Sequence, residues 1–437
     1  MTARAALIAL AGLMAAGGAE AATPPDSAAL GRALDECVAP LVAAGELSGQ
    51  LILARGGEVL VERCWGAADR ERRLPMTPTT RMNIASITKP VNQLVAQKLM
   101  AEGTLAPTDS IGRFLPGFAH GRITVEQLLT HRAGIPHRVT SDDQEAKPLS
   151  AADVTALAGR MPLQYEPGTS SVYSSAGYTV LAHVLETAAG RPWADLVREI
   201  VIAPAGLEHT APSAGLAEPL AERAVSYLPG AKGIEPAPRK DLGFLAGAGS
   251  MWSTARDLQR LSSRLLDGGF GAGARATLVR RGTLRWSGST NGFFCYLDHD
   301  SATGLTAVFV GNLHVGAPAL MRYALPKLAA GVPVEPLQVP RPVFARVSER
   351  VLRRYEGRYD VAGNAGLPLR LRDGALWAND WPLRATSDST FFSPRDYAEV
   401  SVARDSTGRM SGMNWRIGSQ TFLCPRVGEL ETKANGR

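Results

Sequence analysis

A serine and a lysine three positions apart stand at the predicted start of a helix. Ser86 and Lys89 form the only S-x-x-K pattern in the chain. Residues three apart on a helix share a face, so the lysine amine can reach the serine hydroxyl. Pro90 is tolerated in a first helical turn but not in a helix interior, which predicts that the helix begins close to Ser86. The pattern indicates a serine nucleophile whose proton is accepted by a lysine.

The start of a helix favours this chemistry further. The first N–H groups of a helix have no partner inside it, so the N–H of Ser86 is predicted to bind a developing oxyanion. Burial and neighbouring groups would lower the pKa of Lys89 enough for its amine to accept a proton. A chain of this length contains about one S-x-x-K by chance, so the predicted helix start, and not the motif alone, supports the assignment.

Longer phrases around this pair resemble a known family. Residues 83–89 followed by 99–105 are similar to the nucleophile region of the serine β-lactamase-related hydrolases, which include class C β-lactamases, D-Ala-D-Ala carboxypeptidases, D-aminopeptidases and family VIII esterases. Further phrases follow in the family's order at residues 124–136, 166–178, 204–207 and 249–257. The resemblance covers about residues 30–330. It implies a β-lactamase/transpeptidase-like domain of class α+β and an acyl-enzyme on Ser86. The sequence contains no G-x-S-x-G, H-E-x-x-H or phosphate-loop pattern, so no cofactor or metal is predicted.

The resemblance places the family's second motif, Y-x-N, at residues 173–175. Tyr173 matches its tyrosine, and a phenol held beside the Lys89 ammonium can take the Ser86 proton and return it to the leaving group. Ser175 stands where the family usually has asparagine. A hydroxyl is shorter and offers one donor, whereas a carboxamide offers two donors and a carbonyl. The departure implies a weaker hold on Lys89 and on a substrate amide.

The third motif, usually K-T-G or H-x-G on an edge strand, aligns with residues 286–288. Gly288 lets a substrate approach the backbone, and the N–H of Ser289 is the implied second oxyanion donor. Trp286 replaces a cation that would attract a substrate carboxylate, and losing a charged hydrogen bond costs about 1.5–3 kcal/mol. This disfavours β-lactams and D-Ala-D-Ala peptides, whereas a W-x-G motif resembles the β-lactamase-like esterases. A Trp286 that only packs the sheet edge is an equal alternative.

These residues leave three functions open. The first is a secreted serine hydrolase that cleaves a small-molecule ester, amide or peptide through a Ser86 acyl-enzyme. The second is a D-Ala-D-Ala carboxypeptidase or β-lactamase of the cell envelope. The third, which is not enzymatic, is a weakly active penicillin-binding or envelope-binding protein. His131 is predicted to be structural, and Asp257 to cap a helix start.

The surrounding elements must bring these distant motifs together. Strand-like runs at 50–54 and 59–61 flank a Gly-Gly turn, and two more follow at 293–297 and 306–310. The sequence between these two hairpins is predicted to be mostly helical. Strands at both ends with helices between them predict an antiparallel sheet assembled from the two ends of one α+β domain.

The chain divides further along its length. At 437 residues, with 45% apolar and 20% charged residues, it is predicted to be a globular protein of two domains. The first is placed at 22–331, and the proline-rich stretch 332–343 is predicted to be a linker. Short alternating strands in 344–437 predict a small all-β, barrel-like domain.

The beginning of the chain and its charge bear on location and partners. Residues 1–21 combine Arg4, an apolar stretch and a small-x-small site, which predicts a cleaved signal peptide and a periplasmic protein without a transmembrane segment. The net charge of +6 comes from scattered arginines, which disfavours nucleic-acid binding. Export leaves two states open for the cysteines: a bridge, for which Cys37 and Cys64 are closest in sequence, or four thiols. The oligomeric state stays open.

Overall fold

The computed structural model describes residues 25–213, 222–230, 233–361, 364–379 and 381–430, and the predicted signal peptide at 1–21 lies outside them. The α-helices are α1 (Ser27–Ala43), α2 (Thr88–Ala101), α3 (Val125–Leu129), α4 (Asp142–Glu145), α5 (Ala151–Arg160), α6 (Ser175–Ala189), α7 (Trp193–Val197), α8 (Ala203–Ala205), α9 (Ala255–Leu266), α10 (Ala272–Leu278), α11 (Ala317–Ala329) and α12 (Glu349–Leu352). A π-helical turn, Arg198–Ile202, joins α7 to α8, and 3₁₀ turns are formed by Ala85–Ile87, Ile111–Arg113, Leu242–Leu245 and Arg353–Tyr355.

The strands fall into two groups. Those of the first domain are β1 (Gly49–Arg55), β2 (Glu58–Trp65), β3 (Ala67–Asp69), β4 (Leu74–Pro75), β5 (Met82–Asn83), β6 (Ala211–Pro212), β7 (Tyr227–Gly230), β8 (Gly233–Pro236), β9 (Met251–Ser253), β10 (Thr283–Thr290), β11 (Phe293–Asp300) and β12 (Leu305–Gly311). Those of the second are β13 (Gly357–Val361), β14 (Asn364–Arg372), β15 (Ala375–Ala378), β16 (Trp381–Ala385), β17 (Thr390–Ser393), β18 (Ala398–Arg404), β19 (Met410–Ile417) and β20 (Gln420–Gly428).

The predicted antiparallel sheet is confirmed. It has five strands in the order β10-β11-β12-β1-β2, so the early hairpin joins the late one through the pairing of β1 with β12. Nearly every residue of β1 is buried, because both faces of this interior strand are covered. Leu51 and Leu53 pack into one apolar cluster, whereas Ile52 packs into another. Successive side chains of a strand point to opposite faces, so one strand supports two cores.

The two cores differ in what covers the sheet. On one face α1 and α11 contact each other and the sheet, and they contribute Leu34 and Leu325 to the smaller cluster. On the other face lies the larger cluster, to which α2, α6 and α9 contribute Val95, Leu181 and Leu261. This larger cluster joins the sheet to the helical region, and the elements that carry the sequence motifs meet at their boundary.

The predicted β-barrel domain is also confirmed. Strands β13 to β20 form a closed, all-antiparallel barrel of eight strands, and the preceding residues 332–348 contain neither helix nor strand. Its interior is filled by large side chains that include Tyr359, Leu376 and Phe391. Closure pairs the first strand with the last, so the barrel leaves no exposed sheet edge.

The barrel is docked onto the first domain through the turn between β17 and β18. The ring of Tyr397 lies against Gly316, where an added Cβ would come within 2.4 Å of the ring, and its hydroxyl bonds to the carboxylate of Glu46. Arg395 places its Nε 3.4 Å from Nε2 of His314. Complete burial and the charge of Arg395 lower the pKa of His314, so its ring is neutral and accepts this bond.

Of the two states that the sequence left open for the cysteines, the structure shows thiols: Cys37, Cys64, Cys295 and Cys424 are all free, and Cys37 and Cys64 form no bridge. Cys37 belongs to the smaller cluster, between α1 and the sheet, whereas Cys64 on β2 packs against the larger cluster. The two side chains therefore lie on opposite faces of the sheet. In the part of the chain that the structure describes, no helix is both long enough and apolar enough to cross a membrane.

Candidate active site

Ser86 lies in the tight turn Ala85–Ile87, directly before α2. Ala85 has a φ of +45°, an unusual conformation for a residue with a side chain. The side chain of Asn83 accepts a hydrogen bond of 2.8 Å from the N–H of Ala85 and holds this turn. Such backbone strain concentrates at functional sites, where the surrounding structure maintains it. As predicted, the chain enters the helix through Ser86.

Lys89 is on the first turn of α2, with 5% of its surface exposed. Its Nζ donates to the carbonyl of Ala248 at 2.8 Å and lies 3.3 Å from both Oγ of Ser86 and Oγ of Ser175. Burial of the ammonium lowers the pKa of Lys89, partly opposed by the neighbouring Tyr173. The amine is therefore easier to deprotonate than an exposed lysine and can act as a base.

Tyr173 approaches the same hydroxyl from a different part of the chain. Its phenol donates a hydrogen bond of 2.8 Å to Oγ of Ser86. Tyr173 is 39% exposed, and Nζ of Lys89 lies 4.7 Å from the centroid of its ring. Tyr173 immediately precedes Ser174, the N-cap of α6, whose side chain accepts from the N–H of Gly177 at 2.8 Å. One amine and one phenol thus converge on one serine oxygen.

The edge strand β10 forms the opposite wall. A Cβ added at Gly288 would lie 2.6 Å from the backbone nitrogen of Ser86 and 2.9 Å from Cβ of Ala85, so only glycine fits there. Ser289 follows at an exposed position of the same strand. Trp286 is half-buried and packs against the larger apolar cluster. The structure therefore brings the third motif to the nucleophile. The backbone at Gly288, and not a side chain of β10, makes the closest approach to the turn that carries Ser86.

Two aromatic residues next to this site escaped the sequence analysis. Nζ of Lys89 lies 5.7 Å from the ring centroid of Tyr178, which is buried on α6. The ring of His137 lies 5.6 Å from that of Tyr173, and burial followed by the positive charge of Lys89 lowers the pKa of His137. Tyr178 lies within the matched residues 166–178, and His137 directly follows the matched residues 124–136. This position in or beside a matched segment was the sequence feature that could have identified both residues.

His131 and Asp257 take supporting positions. The ring of His131 lies 4.6 Å from that of Tyr173, and its Nδ1 accepts from the N–H of Ser174 at 3.2 Å. Asp257 is not itself the capping residue of α9, because Thr254 occupies the N-cap and accepts from the N–H of Asp257. The carboxylate of Asp257 instead accepts a hydrogen bond of 2.8 Å from the hydroxyl of Thr210. Because Thr210 directly precedes β6, this bond connects α9 to β6.

A cleft of about 720 Å³ lies beyond the end of β10, with Asn291, Phe293, Trp252 and Leu242 among its lining residues. Ser86, Lys89, Tyr173 and Ser289 are not among the described residues that line it. Across the described ranges, no group of three or more His, Cys, Asp or Glu side chains is placed to hold a metal ion.

Comparisons with known proteins identify the family of this chain. The beta-lactamase family model matches residues 34–294. Penicillin-binding protein 4* of Bacillus subtilis (strain 168) is 28% identical over 177 residues, 38% of this chain and 38% of that protein. Esterase EstB of Burkholderia gladioli is 33% identical over 202 residues, 42% of this chain and 51% of that protein.

The matched part thus spans about two fifths to half of the length of these curated relatives. Among solved structures, FmtA from Staphylococcus aureus superimposes with a TM-score of 0.61 at 18% identity, covering 75% of this chain and 97% of that one, which shows a shared fold. The family model matches more than half of the chain. The chain therefore belongs to the beta-lactamase family of serine hydrolases.

Proposed function

We propose that this protein hydrolyses an ester or amide bond of a small molecule through an acyl-enzyme formed on Ser86. One observation carries the proposal: Nζ of Lys89 and the hydroxyl of Tyr173 lie 3.3 Å and 2.8 Å from Oγ of Ser86. A hydroxyl with two proton-transfer groups in hydrogen-bond reach has the arrangement of an activated nucleophile.

The reaction runs in two steps. Oγ of Ser86 attacks the substrate carbonyl while its proton passes to the Tyr173–Lys89 pair, which acts as one coupled unit. The N–H groups of Ser86 and Ser289 hold the oxyanion. The bond to the leaving group breaks, and the leaving group takes the proton from the pair. Water then attacks the acyl-enzyme and releases a carboxylic acid, which restores the Ser86 hydroxyl.

The residues around the nucleophile favour an uncharged substrate. Trp286 supplies an apolar face and one neutral donor where a cation would attract a carboxylate, and Ser175 replaces a carboxamide. The similarity to a protein named an esterase supports this choice. The runner-up is a D-Ala-D-Ala carboxypeptidase or β-lactamase, supported by the relative named a penicillin-binding protein. A weakly active penicillin-binding or envelope-binding protein is the third candidate, motivated by Ser175 and Trp286 together.

Export and domain limits belong to the same proposal. Residues 1–21 would direct the chain to the periplasm, where envelope-derived esters, amides and peptides are available. The catalytic domain would occupy 22–331, the linker 332–343 and the barrel domain 344–437. Amino-terminal sequencing of protein recovered from a periplasmic extract tests the cleavage, and an intact Met1 in that fraction would contradict it.

The central experiment compares a short nitrophenyl ester with a chromogenic cephalosporin and adds intact-mass analysis after a fluorophosphonate probe. We expect ester hydrolysis and one covalent adduct, both lost in Ser86→Ala. Ser406→Ala, which changes an exposed serine in the turn between β18 and β19 of the barrel, is the matched control and should keep both. Equal labelling of wild type and Ser86→Ala would remove the proposed nucleophile. A strong preference for the cephalosporin would favour the runner-up, and an adduct that forms without turnover would favour the third candidate.

The role of Trp286 is tested separately. Trp286→Lys introduces a cation and should raise the ratio of cephalosporin to ester hydrolysis about tenfold, the value of a charged hydrogen bond. Trp286→Phe keeps an apolar ring and should leave the ratio unchanged. If both variants lose activity equally without a change of ratio, Trp286 only packs the sheet edge.

A further inference from the structure

Behind the candidate oxyanion donors lies a buried thiol that the proposed mechanism does not use. Cys295 is on β11, directly opposite Gly288 of β10 in the antiparallel register, and its side chain is fully buried. Its Sγ lies 3.0 Å from the carbonyl oxygen of Ile84 and 3.6 Å from that of Gly288. Ile84 stands two residues before Ser86, and Gly288 one residue before Ser289. The thiol therefore contacts both segments that carry the donors.

These two segments are packed in direct contact with each other. Gly288 packs so closely on the nucleophile turn that an added Cβ would lie 2.9 Å from the Ile84 carbonyl oxygen and 2.6 Å from the Ser86 nitrogen. The pairing of β10 with β11 fixes the edge strand to the sheet, but the turn belongs to the helical region. The contact of the Cys295 sulfur with the Ile84 carbonyl is a side-chain contact between the sheet and this turn.

A thiol suits this position chemically. Burial raises the pKa of Cys295, so the sulfur keeps its proton and remains a donor. Sulfur is a weak donor with a long reach, and it fills apolar space as a small hydrophobic side chain does. A serine hydroxyl at the same place would be smaller and would donate over a shorter distance, and a valine would fill the space without donating.

We propose that Cys295 is a positioning residue, whose S–H bridge to the Ile84 and Gly288 carbonyls holds the N–H groups of Ser86 and Ser289 at the spacing that one oxyanion requires. The inference rests on the proposed function and adds to it the group that aligns the two donors. The thiol contacts neither the substrate nor the nucleophile. By aligning the two oxyanion donors it stabilises the transition state, and it leaves the binding of the substrate in the ground state nearly unchanged.

The test measures kcat and KM for the nitrophenyl ester, together with the affinity of a boronate that forms a tetrahedral adduct on the serine. Cys295→Val should lower kcat about two- to tenfold, which is the value of one weak hydrogen bond, and leave KM unchanged. It should lower the affinity for the boronate by a similar factor. Cys37→Val removes another buried thiol, in the smaller cluster, and is the matched control. It should change neither quantity.

Unchanged kcat and boronate affinity in a folded Cys295→Val would overturn the positioning role, as would a rise in KM alone. If that variant does not fold, Cys295→Ser is compared with Cys295→Ala. Higher kcat in the serine variant, which keeps a donor, supports the bridge, and equal kcat overturns it. Failure of the proposed function is distinguishable, because then either the wild type does not turn over the ester or Ser86→Ala retains ester hydrolysis, whatever the Cys295 variants do.

Discussion

The phenol of Tyr173 donates a 2.8 Å hydrogen bond to Oγ of Ser86, a residue 87 positions earlier in the chain. Neighbouring bonds hold the tyrosine in place. The carbonyl of His131 accepts from the N–H of Val172 at 3.1 Å, and the His131 ring packs on that of Tyr173. The loop that follows α3 and contains His131 therefore fixes the segment that leads into α6. Preorganisation of this kind reduces the entropic cost of bringing a proton-transfer group to its target.

Removing the phenol should affect chemistry and little else. In Tyr173→Phe we expect kcat for the nitrophenyl ester to fall by a factor of about 10² to 10⁴, since general acid–base groups contribute that much. The hydroxyl lies in a partly exposed ring, so the melting temperature should stay close to that of the wild type. Steady-state kinetics with thermal unfolding checks both. Tyr323→Phe, an exposed tyrosine on α11, is the control, and a Tyr173→Phe variant with full activity would exclude the phenol from proton transfer.

The buried amine predicts how activity depends on pH. The pKa of Lys89 is lowered by burial, and the neutral amine is the form that accepts a proton. Activity should therefore increase as pH rises through this lowered pKa and level off below the ordinary lysine value of about 10.4. The measurement is kcat/KM for the ester across the alkaline range. An increase that follows an unshifted lysine would contradict the assignment.

The same group predicts a dependence of stability on pH. In the unfolded chain Lys89 holds its proton up to about pH 10.4, whereas the folded protein releases it earlier. The unfolded state then binds more protons, so the free energy of unfolding should rise with pH between the two pKa values. Urea unfolding over this window measures the slope. Lys89→Met should remove this contribution, and an identical slope in that variant would assign it to other groups.

The contact between Gly288 and the nucleophile turn predicts a steric effect. In Gly288→Ala the new Cβ meets backbone atoms, at 2.6 Å from the Ser86 nitrogen and 2.9 Å from the Ile84 oxygen, and these cannot rotate away as a side chain can. We expect kcat/KM to fall about 100-fold, the effect of a displacement near 1 Å. Gly273→Ala is the control: this residue lies on α10, and an added Cβ would have its nearest neighbour at 3.6 Å. It should leave kcat/KM unchanged. Near-normal activity in Gly288→Ala would show that the edge strand is free to move.

The docking of the barrel predicts a double-mutant result. Gly316→Ala places a Cβ 2.4 Å from the ring of Tyr397 and should displace the barrel. Residues 332–343 are already largely exposed, and loss of docking should loosen them so that a protease cleaves them faster. Tyr397→Ala removes the obstacle together with the bond to Glu46. The double variant should be cleaved no faster than Tyr397→Ala alone, because contacting residues are not additive. Additive rates of cleavage would mean that Gly316 acts on something other than this ring.

Patterns that depend on local chemistry were predictable. Pro90 after an S-x-x-K motif placed the start of α2 at the nucleophile, because proline belongs in a first turn. The Gly-Gly turn predicted the first hairpin, and the resemblance of the matched phrases implied the fold. The sequence left open whether Cys37 and Cys64 form a bridge, for the opposite reason. Closeness in sequence does not say on which face of a sheet each thiol lies, and these two lie on different faces.

The sequence by itself determined which residues begin a helix, alternate along a strand or carry an ionisable group, because these properties depend on neighbours a few positions away. Only the tertiary structure decided that the Ala248 carbonyl holds Lys89, that His137 and Tyr178 line the site, and that Cys295 contacts two donor segments. Each of these contacts joins segments that lie far apart in the chain. Their distances are set by the packing of sheet and helices into shared cores, which no local pattern encodes.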